Sequence, residues 1–171
     1  RTFDGVDDII NCGNATSIAA LTAFSVELWV KVTVASWNGP AKACILFGKQ
    51  NTIQQNNTWA ILGDGNAGSQ PVYWWVQDNA GAVHTLGLGN AVLNVWKHYI
   101  GTGDGTNMYL YADGVATGGT TTYGAIVANT RPIVMGERYA SGTAGTFLNG
   151  IIGEGRIYNR ALSVSEIMRN Y

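Results

Sequence analysis

The sequence predicts an all-β protein, an antiparallel β-sandwich of two sheets with a short helix at the C-terminal end. Runs of β-branched and aromatic residues recur about every ten residues between turn clusters, which is typical of sandwiches and barrels. Only 12% of the 171 residues are charged, whereas 23 are Gly and 8 are Tyr. No internal repeat and no linker interrupts the pattern, so we expect residues 1–171 to form a single domain.

The near-neutral charge argues against several classes of partner. The chain has 10 basic and 11 acidic residues, so we expect no nucleic-acid binding through a basic surface and no polybasic membrane contact. Apolar runs such as 43–47 are far too short to span a bilayer, and we expect no membrane insertion. A polar but uncharged surface favours an extracellular, cell-surface or virion location. Because the chain starts at Arg1, we interpret it as processed or as part of something longer.

Three segments alternate most clearly between two faces, as strands do. At 24–32 one face holds only Phe, Val and Leu, and the opposite face holds Ser25, Glu27, Trp29 and Lys31. The segments 71–78 and 108–112 alternate in the same way. Further strands are predicted at 6–12, 43–49, 59–63, 83–88, 96–102, 132–136, 147–152 and 156–158. Asn-Gly and Asp-Gly pairs between them predict tight turns, and 51–58 and 140–145 are predicted loops.

One helix is predicted at the end of the chain. Ser163 with Glu166 three residues later forms a capping box, and Leu162 with Ile167 forms a hydrophobic staple. We expect this helix to lie on the sandwich surface and to bury Ile167 and Met168.

The chain contains two cysteines, Cys12 and Cys44, which allow at most one disulfide. A bridge would indicate an oxidising compartment. The alternative is two small buried hydrophobic residues.

Six segments, in order along the chain, resemble the laminin-G-like domain of the concanavalin A-like jelly-roll superfamily. They are FDGVDD at 3–8, FSVELWVK at 24–31, WKH at 96–98, YLYADG at 109–114, FLNG at 147–150 and RIYNRALS at 156–163. The resemblance implies a jelly roll of two antiparallel sheets, one of them concave. Members of this family bind glycans, proteins or steroids, and the fold alone does not fix which.

The superfamily includes glycoside hydrolases, whose activity depends on a pair of carboxylates. A retaining hydrolase places two carboxyl groups about 5 Å apart, which on one strand means acidic residues two or four positions apart. Glu27 has no acidic neighbour on its face, and Glu154 is followed there by Arg156. No nucleophile motif accompanies His84 or His98, and the Cys and His residues are too widely spaced for zinc. We therefore expect a non-catalytic domain, while a carboxylate pair on neighbouring strands stays open.

The family often contains a structural Ca²⁺, the one cofactor to consider here. Two familiar ligand positions differ in this chain, because 56–58 has no acidic residue and Gly153 stands where relatives often have Asp. Asp4, Asp7 and Asp8 are the remaining candidate metal ligands, together with carbonyl oxygens. The alternative is that these side chains bond to their own backbone in turns.

Sugar binding uses aromatic rings against the apolar face of a pyranose and planar polar side chains for its hydroxyls. The candidate ligand-binding residues are the row Tyr73, Trp75 and Gln77, the row Tyr109 and Tyr111, the loop residue Trp37, and the turn residues Asp64 and Asn66. For Trp75, cover by a loop is an equal alternative.

The remaining Trp residues are treated differently. Trp29, Trp74 and Trp96 are assigned to packing, His98 is expected to be a structural residue with its hydrogen bonds satisfied rather than a ligand contact, and Trp59 has no assigned role.

Together these observations favour a non-catalytic recognition module, with carbohydrate as the preferred ligand. The first alternative is a structural or adhesive module of a virion or cell-surface assembly, in which the aromatic rows face a neighbouring protein subunit. The second is a glycan-cleaving enzyme.

Overall fold

Two antiparallel sheets packed face to face form the body of the computed structural model. It describes residues 1–14, 18, 21–34, 37, 43–49, 58–65, 70–117, 121–126, 128–140 and 143–171. Within these ranges the elements are β1 (Thr2–Asp4), β2 (Ile10–Asn11), β3 (Phe24–Val34), β4 (Ala43–Lys49), β5 (Trp59–Asp64), β6 (Pro71–Gln77), β7 (Val83–Asn90), β8 (Trp96–Gly103), β9 (Asn107–Ala112), β10 (Val115–Ala116), β11 (Thr121–Thr122), β12 (Ile133–Met135), β13 (Glu137–Ala140), β14 (Thr143–Phe147), β15 (Asn149–Tyr158) and α1 (Val164–Asn170).

The chain order of the strands differs from their order in space. Among the described residues, one sheet has seven strands in the order β1-β15-β3-β8-β9-β10, with β11 also pairing with β9. In the same described ranges the other sheet has six strands in the order β2-β12-β4-β5-β6-β7, and β13 and β14 form a separate hairpin. The expected antiparallel sandwich with a short C-terminal helix is therefore confirmed.

The inner faces of both sheets form the core, and strict alternation along β3 explains how. Its five apolar side chains at 24, 26, 28, 30 and 32 are between 0% and 4% exposed. Across the interface they meet Trp59 and Trp74, with the Phe24 ring 5.7 Å from that of Trp74. Gly101 on β8 makes room for this approach, because a Cβ atom there would overlap the Trp74 ring. Trp74 is thus confirmed as core, and Trp59 joins it.

The predicted helix is present with its capping box. Ser163 accepts a hydrogen bond from the backbone of Glu166, and the Glu166 side chain accepts one from the backbone of Ser163. Ile167 is buried, but Met168 is 64% exposed, so its predicted burial is wrong. A seven-residue helix that lies flat on a sheet buries only one narrow side, and Met168 points away from it.

Several strand boundaries differ from the prediction. The predicted strand 6–12 is wrong, since the chain forms β1 and β2 with a turn between them. The predicted strand 147–152 begins too early, since Phe147 ends β14 and β15 starts at Asn149. Its remainder and the predicted strand 156–158 form one strand, β15, which continues through a β-bulge at Gly153. The predicted loop 140–145 contains the end of β13 and the start of β14. Most of the other predicted loop, 51–57, lies outside the described residues.

Both cysteines are free thiols, with Cys12 exposed and Cys44 buried. The alternative of a small buried residue therefore holds for Cys44 only.

Candidate functional site

A cavity of about 330 Å³ opens on the outer face of the seven-stranded sheet, and Trp29, Trp96, Gly153 and Glu154 line it. Three neighbouring strands supply these residues. Trp29 on β3 lies opposite Glu154 on β15 and opposite His98 on β8. Lys31, the next outward residue of β3, lies opposite Trp96. The cavity is therefore built from adjacent positions of one continuous sheet surface.

The bulge at Gly153 shapes the floor of this cavity. The pairing between β15 and β3 shifts by one residue between Ile152 and Glu154, which turns Gly153 toward the outer face. A Cβ atom on Gly153 would lie 3.2 Å from the Trp96 ring and 3.6 Å from Trp29. The indole of Trp96 can rest on the backbone because no side chain stands at this position. Trp96 remains 41% exposed, and the Lys31 ammonium lies 5.9 Å from its ring centre.

A buried carboxylate lies beside the cavity. Glu27 is 2% exposed, and its Oε2 accepts hydrogen bonds from Tyr158 at 2.6 Å and Asn170 at 3.0 Å. Its Oε1 lies 3.0 Å from Nε2 of His98 and accepts a bond from Arg156 at 3.3 Å. This network joins β3, β8 and β15 to the last turn of α1.

The partners of Glu27 determine its charge. Burial raises the pKa of the Glu27 carboxyl, but the hydrogen bonds from His98 and Tyr158 and the charge of Arg156 outweigh burial, so the pKa lies below its ordinary value. Glu27 is therefore an anion near neutral pH. Because a carboxylate only accepts hydrogen bonds, the N–H at Nε2 of His98 is the donor in the bond between them.

Arg156 links this buried network to the cavity. Its Nε donates to Glu154 at 2.9 Å, while Nη1 donates to Glu27. Glu154 is half exposed at the cavity wall and Arg156 is 43% exposed. The bulge and this guanidinium together orient the carboxylate of Glu154 beside the exposed ring of Trp96.

A group of parallel rings borders the same face. Trp29 stacks on His98 with ring centres 4.6 Å apart, and Tyr171 stacks on Trp29 at 5.9 Å and 9°. Trp29 is half-buried by these contacts, while Tyr171 is exposed.

The family follows from a sequence comparison over residues 4–168, which match the model of the concanavalin A-like lectin/glucanases superfamily. This chain belongs to that superfamily. No curated protein matches it in sequence.

Solved structures of this superfamily's architecture resemble the chain at low sequence identity. A Ruminococcus gnavus sialidase module, CBM40, bound to α2,3-sialyllactose shares 16% identity at a TM-score of 0.71, covering 99% of this chain and 96% of that one. The heptameric SAP-like pentraxin of Limulus polyphemus shares 16% at 0.67, covering 98% and 78%. The binding domain of botulinum neurotoxin serotype D shares 18% at 0.67, covering 99% of this chain but 41% of that one. At these identities the similarity establishes the fold.

The row predicted on β6 lies on the outer face of the other sheet. Tyr73 and Trp75 are half-buried there and pack against a small apolar cluster. The cluster consists of Ala43, Ile45, Ala60, Leu62 and Val134. Gln77 departs from this row, because it is 5% exposed and its amide donates to the carbonyl of Gly81. The role predicted for Gln77 as an exposed ligand contact is wrong, because it closes its own turn.

The second predicted row lies beneath the helix. Tyr111 is buried with Ile100 under Leu162 and Ile167, and Tyr109 packs against the same cluster. Tyr111 as a ligand contact is therefore wrong, since α1 covers the ring. Periodicity alone places Tyr109 and Tyr111 on an outer face without showing that the helix returns to that face.

The turn residues are scattered. Trp37 is fully buried against the backbone of Gly63, so its predicted ligand contact is wrong. Asp64 ends β5 and is half-buried, and Asn66 lies outside the described residues.

The acidic residues near the start of the chain form turn contacts. Asp4 Oδ1 accepts a hydrogen bond from the backbone of Val6 at 2.8 Å, and Asp8 Oδ2 accepts one from the backbone of Asp4. Asp8 also pairs with Arg1 at 3.1 Å, and Asp7 is exposed. In the described part of the chain, no three His, Cys, Asp or Glu residues are grouped to hold a metal ion. Calcium binding by Asp4, Asp7 and Asp8 stays a prediction.

Sequence reasoning missed the cavity because it assigned Trp29 and Trp96 to packing. Trp96 does pack on the backbone of Gly153, but it remains 41% exposed, so packing accounts for only part of its surface. A signal was present: Trp29 shares the polar face of β3 with Glu27 and Lys31, opposite the core face. A large aromatic residue on the polar face of an amphipathic strand indicates a candidate ligand-binding surface.

No helix among the described residues is long and apolar enough to cross a membrane.

Proposed function

We propose that this domain is a non-catalytic carbohydrate-binding module and that its site is the cavity of Trp29, Trp96, Gly153 and Glu154. The exposed ring of Trp96, held over the bare backbone of Gly153 and next to the carboxylate of Glu154, is the observation on which the proposal rests. The location we propose is extracellular, on a cell surface or on a virion, where glycans are accessible.

The chemistry of the cavity suits a pyranose. The C–H face of a sugar ring stacks on an indole, and the surrounding hydroxyls need nearby acceptors and donors. Glu154 is the acceptor, and Lys31 and Arg156 are donors at the rim. The solved sialidase module with sialyllactose, which this chain covers almost completely, supports a glycan as the ligand class.

The experiment is a glycan array followed by calorimetry on Trp96→Ala, with Trp75→Ala on the opposite sheet as the matched control. Losing about 100 Å² of buried aromatic surface at 25 cal/mol per Å² costs about 2.5 kcal/mol, so affinity should fall by well over tenfold. Trp75→Ala should bind as the parent does. Absence of binding to every glycan refutes the proposal, and a loss confined to Trp75→Ala moves the site to the other sheet.

The absence of catalysis is part of the proposal and has its own test. Glu27 is held ionised and bonded to four side chains, which does not suit a general acid. Incubation with the bound oligosaccharides should leave them intact by mass spectrometry. Cleavage that Glu154→Gln abolishes would show an enzyme instead.

A second candidate function is docking of a neighbouring subunit, and an exposed apolar patch beside the cavity favours it. Val92, Leu93 and Val95 in the turn before β8 are between 43% and 49% exposed, and Trp96 follows them. The backbone of Asn94 bonds to that of Val32, which brings this turn next to Val34, also exposed. A second copy of the chain on this patch predicts a dimer in light scattering that Leu93→Asp dissociates. If the protein is a monomer in solution and binds glycans, carbohydrate binding is supported over subunit docking.

A further inference from the structure

We propose that the ligand is a chain of several sugar units rather than a single terminal sugar, and that Tyr171 is a second stacking platform for it. This inference rests on the proposed function and names the substrate class of the same site. No comparison and no motif assigns a role to Tyr171.

Tyr171 is exposed and yet held in place. The residue is 59% exposed, and its ring lies nearly parallel to those of Trp29 and His98, at 5.9 Å and 6.0 Å between ring centres. A Cβ atom on Gly114 would touch it at 3.3 Å, so the bare backbone of the β9–β10 turn lies beside the ring. The neighbouring Asn170 bonds to the buried Glu27 at 3.0 Å. An exposed ring with this much support is ordered before any ligand arrives, which lowers the entropy cost of binding.

The register of the sheet places the two platforms at different positions along β8. Trp96 and His98 are two positions apart on β8, so they lie on the same face about 7 Å apart along the strand. Tyr171 stacks with His98 and Trp29, at the Trp29 side of the cavity and away from Trp96. A monosaccharide on Trp96 therefore leaves Tyr171 uncovered, whereas an oligosaccharide along the strand direction contacts both.

Polar side chains on β15 run in the same direction along the sheet as the two aromatic platforms. Glu154 lies level with Trp29, and Arg156, two positions further along β15, lies level with Glu27. Both are about half exposed and point to the outer face. Hydroxyls of successive sugars could thus pair first with the carboxylate and then with the guanidinium, while their ring faces stack on Trp96 and Tyr171.

The test measures affinity against chain length by calorimetry. The probes are cello-, chito-, xylo-, manno- and α-gluco-oligosaccharides of one to six units. Within the series that binds, we expect affinity to rise at least tenfold between one and four units and then to level off. Tyr171→Ala should reduce the affinity of the longer members about tenfold and leave the monosaccharide unchanged. Trp96→Ala should weaken every member.

Two further variants keep the result interpretable. Tyr171→Phe retains the ring and should bind as the parent does, and Val164→Ala is a control at the exposed start of the same helix. If neither these series nor any glycan on the array binds, the proposed function fails, and this inference fails with it. If the array identifies a single terminal sugar as the ligand and none of these series binds, only this inference is overturned. If Trp96→Ala abolishes binding but chain length and Tyr171→Ala have no effect, only this inference is overturned.

Discussion

Replacing Glu27 by Gln tests the central network of the domain, because the side chain keeps its shape and loses its charge. In the parent, all four partners of the buried carboxylate donate: Tyr158, His98, Asn170 and Arg156. The Gln amide keeps one acceptor oxygen and turns an NH₂ group toward two of these donors. The substitution therefore leaves no cavity and isolates the electrostatic contribution.

The loss of stability in Glu27→Gln depends on which hydrogen-bond partners can reorient around the amide. Arg156 is 43% exposed and can turn to solvent, and the Tyr158 hydroxyl can rotate to accept. The buried His98 and Asn170 have less freedom, so roughly one charge-assisted hydrogen bond is lost and one donor is left without a partner. We expect a loss of about 2–4 kcal/mol in the free energy of unfolding. For a domain of this size that lowers the melting temperature by roughly 5–15 °C.

Urea denaturation followed by Trp fluorescence measures this loss, and its pH dependence checks the cause. The pKa of Glu27 is lower in the folded state than in the unfolded chain, so its stabilisation is complete above the unfolded value of about 4.3 and is lost as pH falls through the folded value. The difference between parent and Glu27→Gln should be constant near neutrality and shrink below about pH 4.

The matched control is Glu154→Gln, which removes an exposed carboxylate from the same guanidinium and should cost less than about 0.5 kcal/mol. A double-mutant cycle of Glu27→Gln with Asn170→Ala should show coupling of about 1 kcal/mol. A Glu27→Gln protein that unfolds within about 0.5 kcal/mol of the parent at pH 7 would refute the reasoning, because the network would then contribute no net stability.

Three further predictions concern the core, the thiols and the helix. Gly101→Ala should lower the free energy of unfolding in urea by about 2–3 kcal/mol, because the added Cβ overlaps the Trp74 ring. The control is Gly124→Ala, whose Cβ meets nothing nearer than 3.5 Å. Equal stability of the two variants would contradict the packing argument. A thiol reagent should modify Cys12 in the native protein and Cys44 only after unfolding, since Cys44 is fully buried and burial raises the pKa of its thiol. Modification of both cysteines in the folded protein would contradict the fold. Hydrogen bonds from Arg160 and from Ser163 lower the pKa of Glu166 to about 2. The stabilisation that Glu166 gives to α1 should therefore be complete above about pH 4.3 and be lost as pH falls toward 2, and near-ultraviolet circular dichroism of the covered Tyr residues should report the loss. Ser163→Ala should lower the free energy of unfolding by about 1 kcal/mol at neutral pH.

The parts of the fold that the sequence predicts are those governed by neighbours in the chain. Alternation along 24–32 identifies β3 and its core face, and Ser163 with Glu166 identifies the start of α1. Each signal depends on residues within one strand or one helical turn. The tight turn at Asp113-Gly114 is confirmed for the same reason, since both residues have positive φ, 51° and 76°.

The parts that the sequence does not predict depend on distant segments. Trp37 follows β3 without any periodic pattern, and only the position of Gly63 on another strand shows that its ring is in the core. Tyr111 alternates onto an outer face, but α1 from the end of the chain covers it. Membership of a predicted outer face therefore does not establish exposure, because tertiary contacts decide which outer positions remain in water.

The same dependence on distant segments explains why the sequence does not predict the cavity. The C-terminal helix divides the outer face of the seven-stranded sheet: it covers Ile100 and Tyr111 and leaves Trp29 and Trp96 on the open side. Glu27 lies at the boundary, bonded through Asn170 to the helix and through Arg156 to the cavity wall. Stability of the helix and geometry of the site are therefore coupled through one buried carboxylate. A variant that loosens the helix should weaken oligosaccharide binding through Tyr171 before it affects the stacking of a single sugar on Trp96.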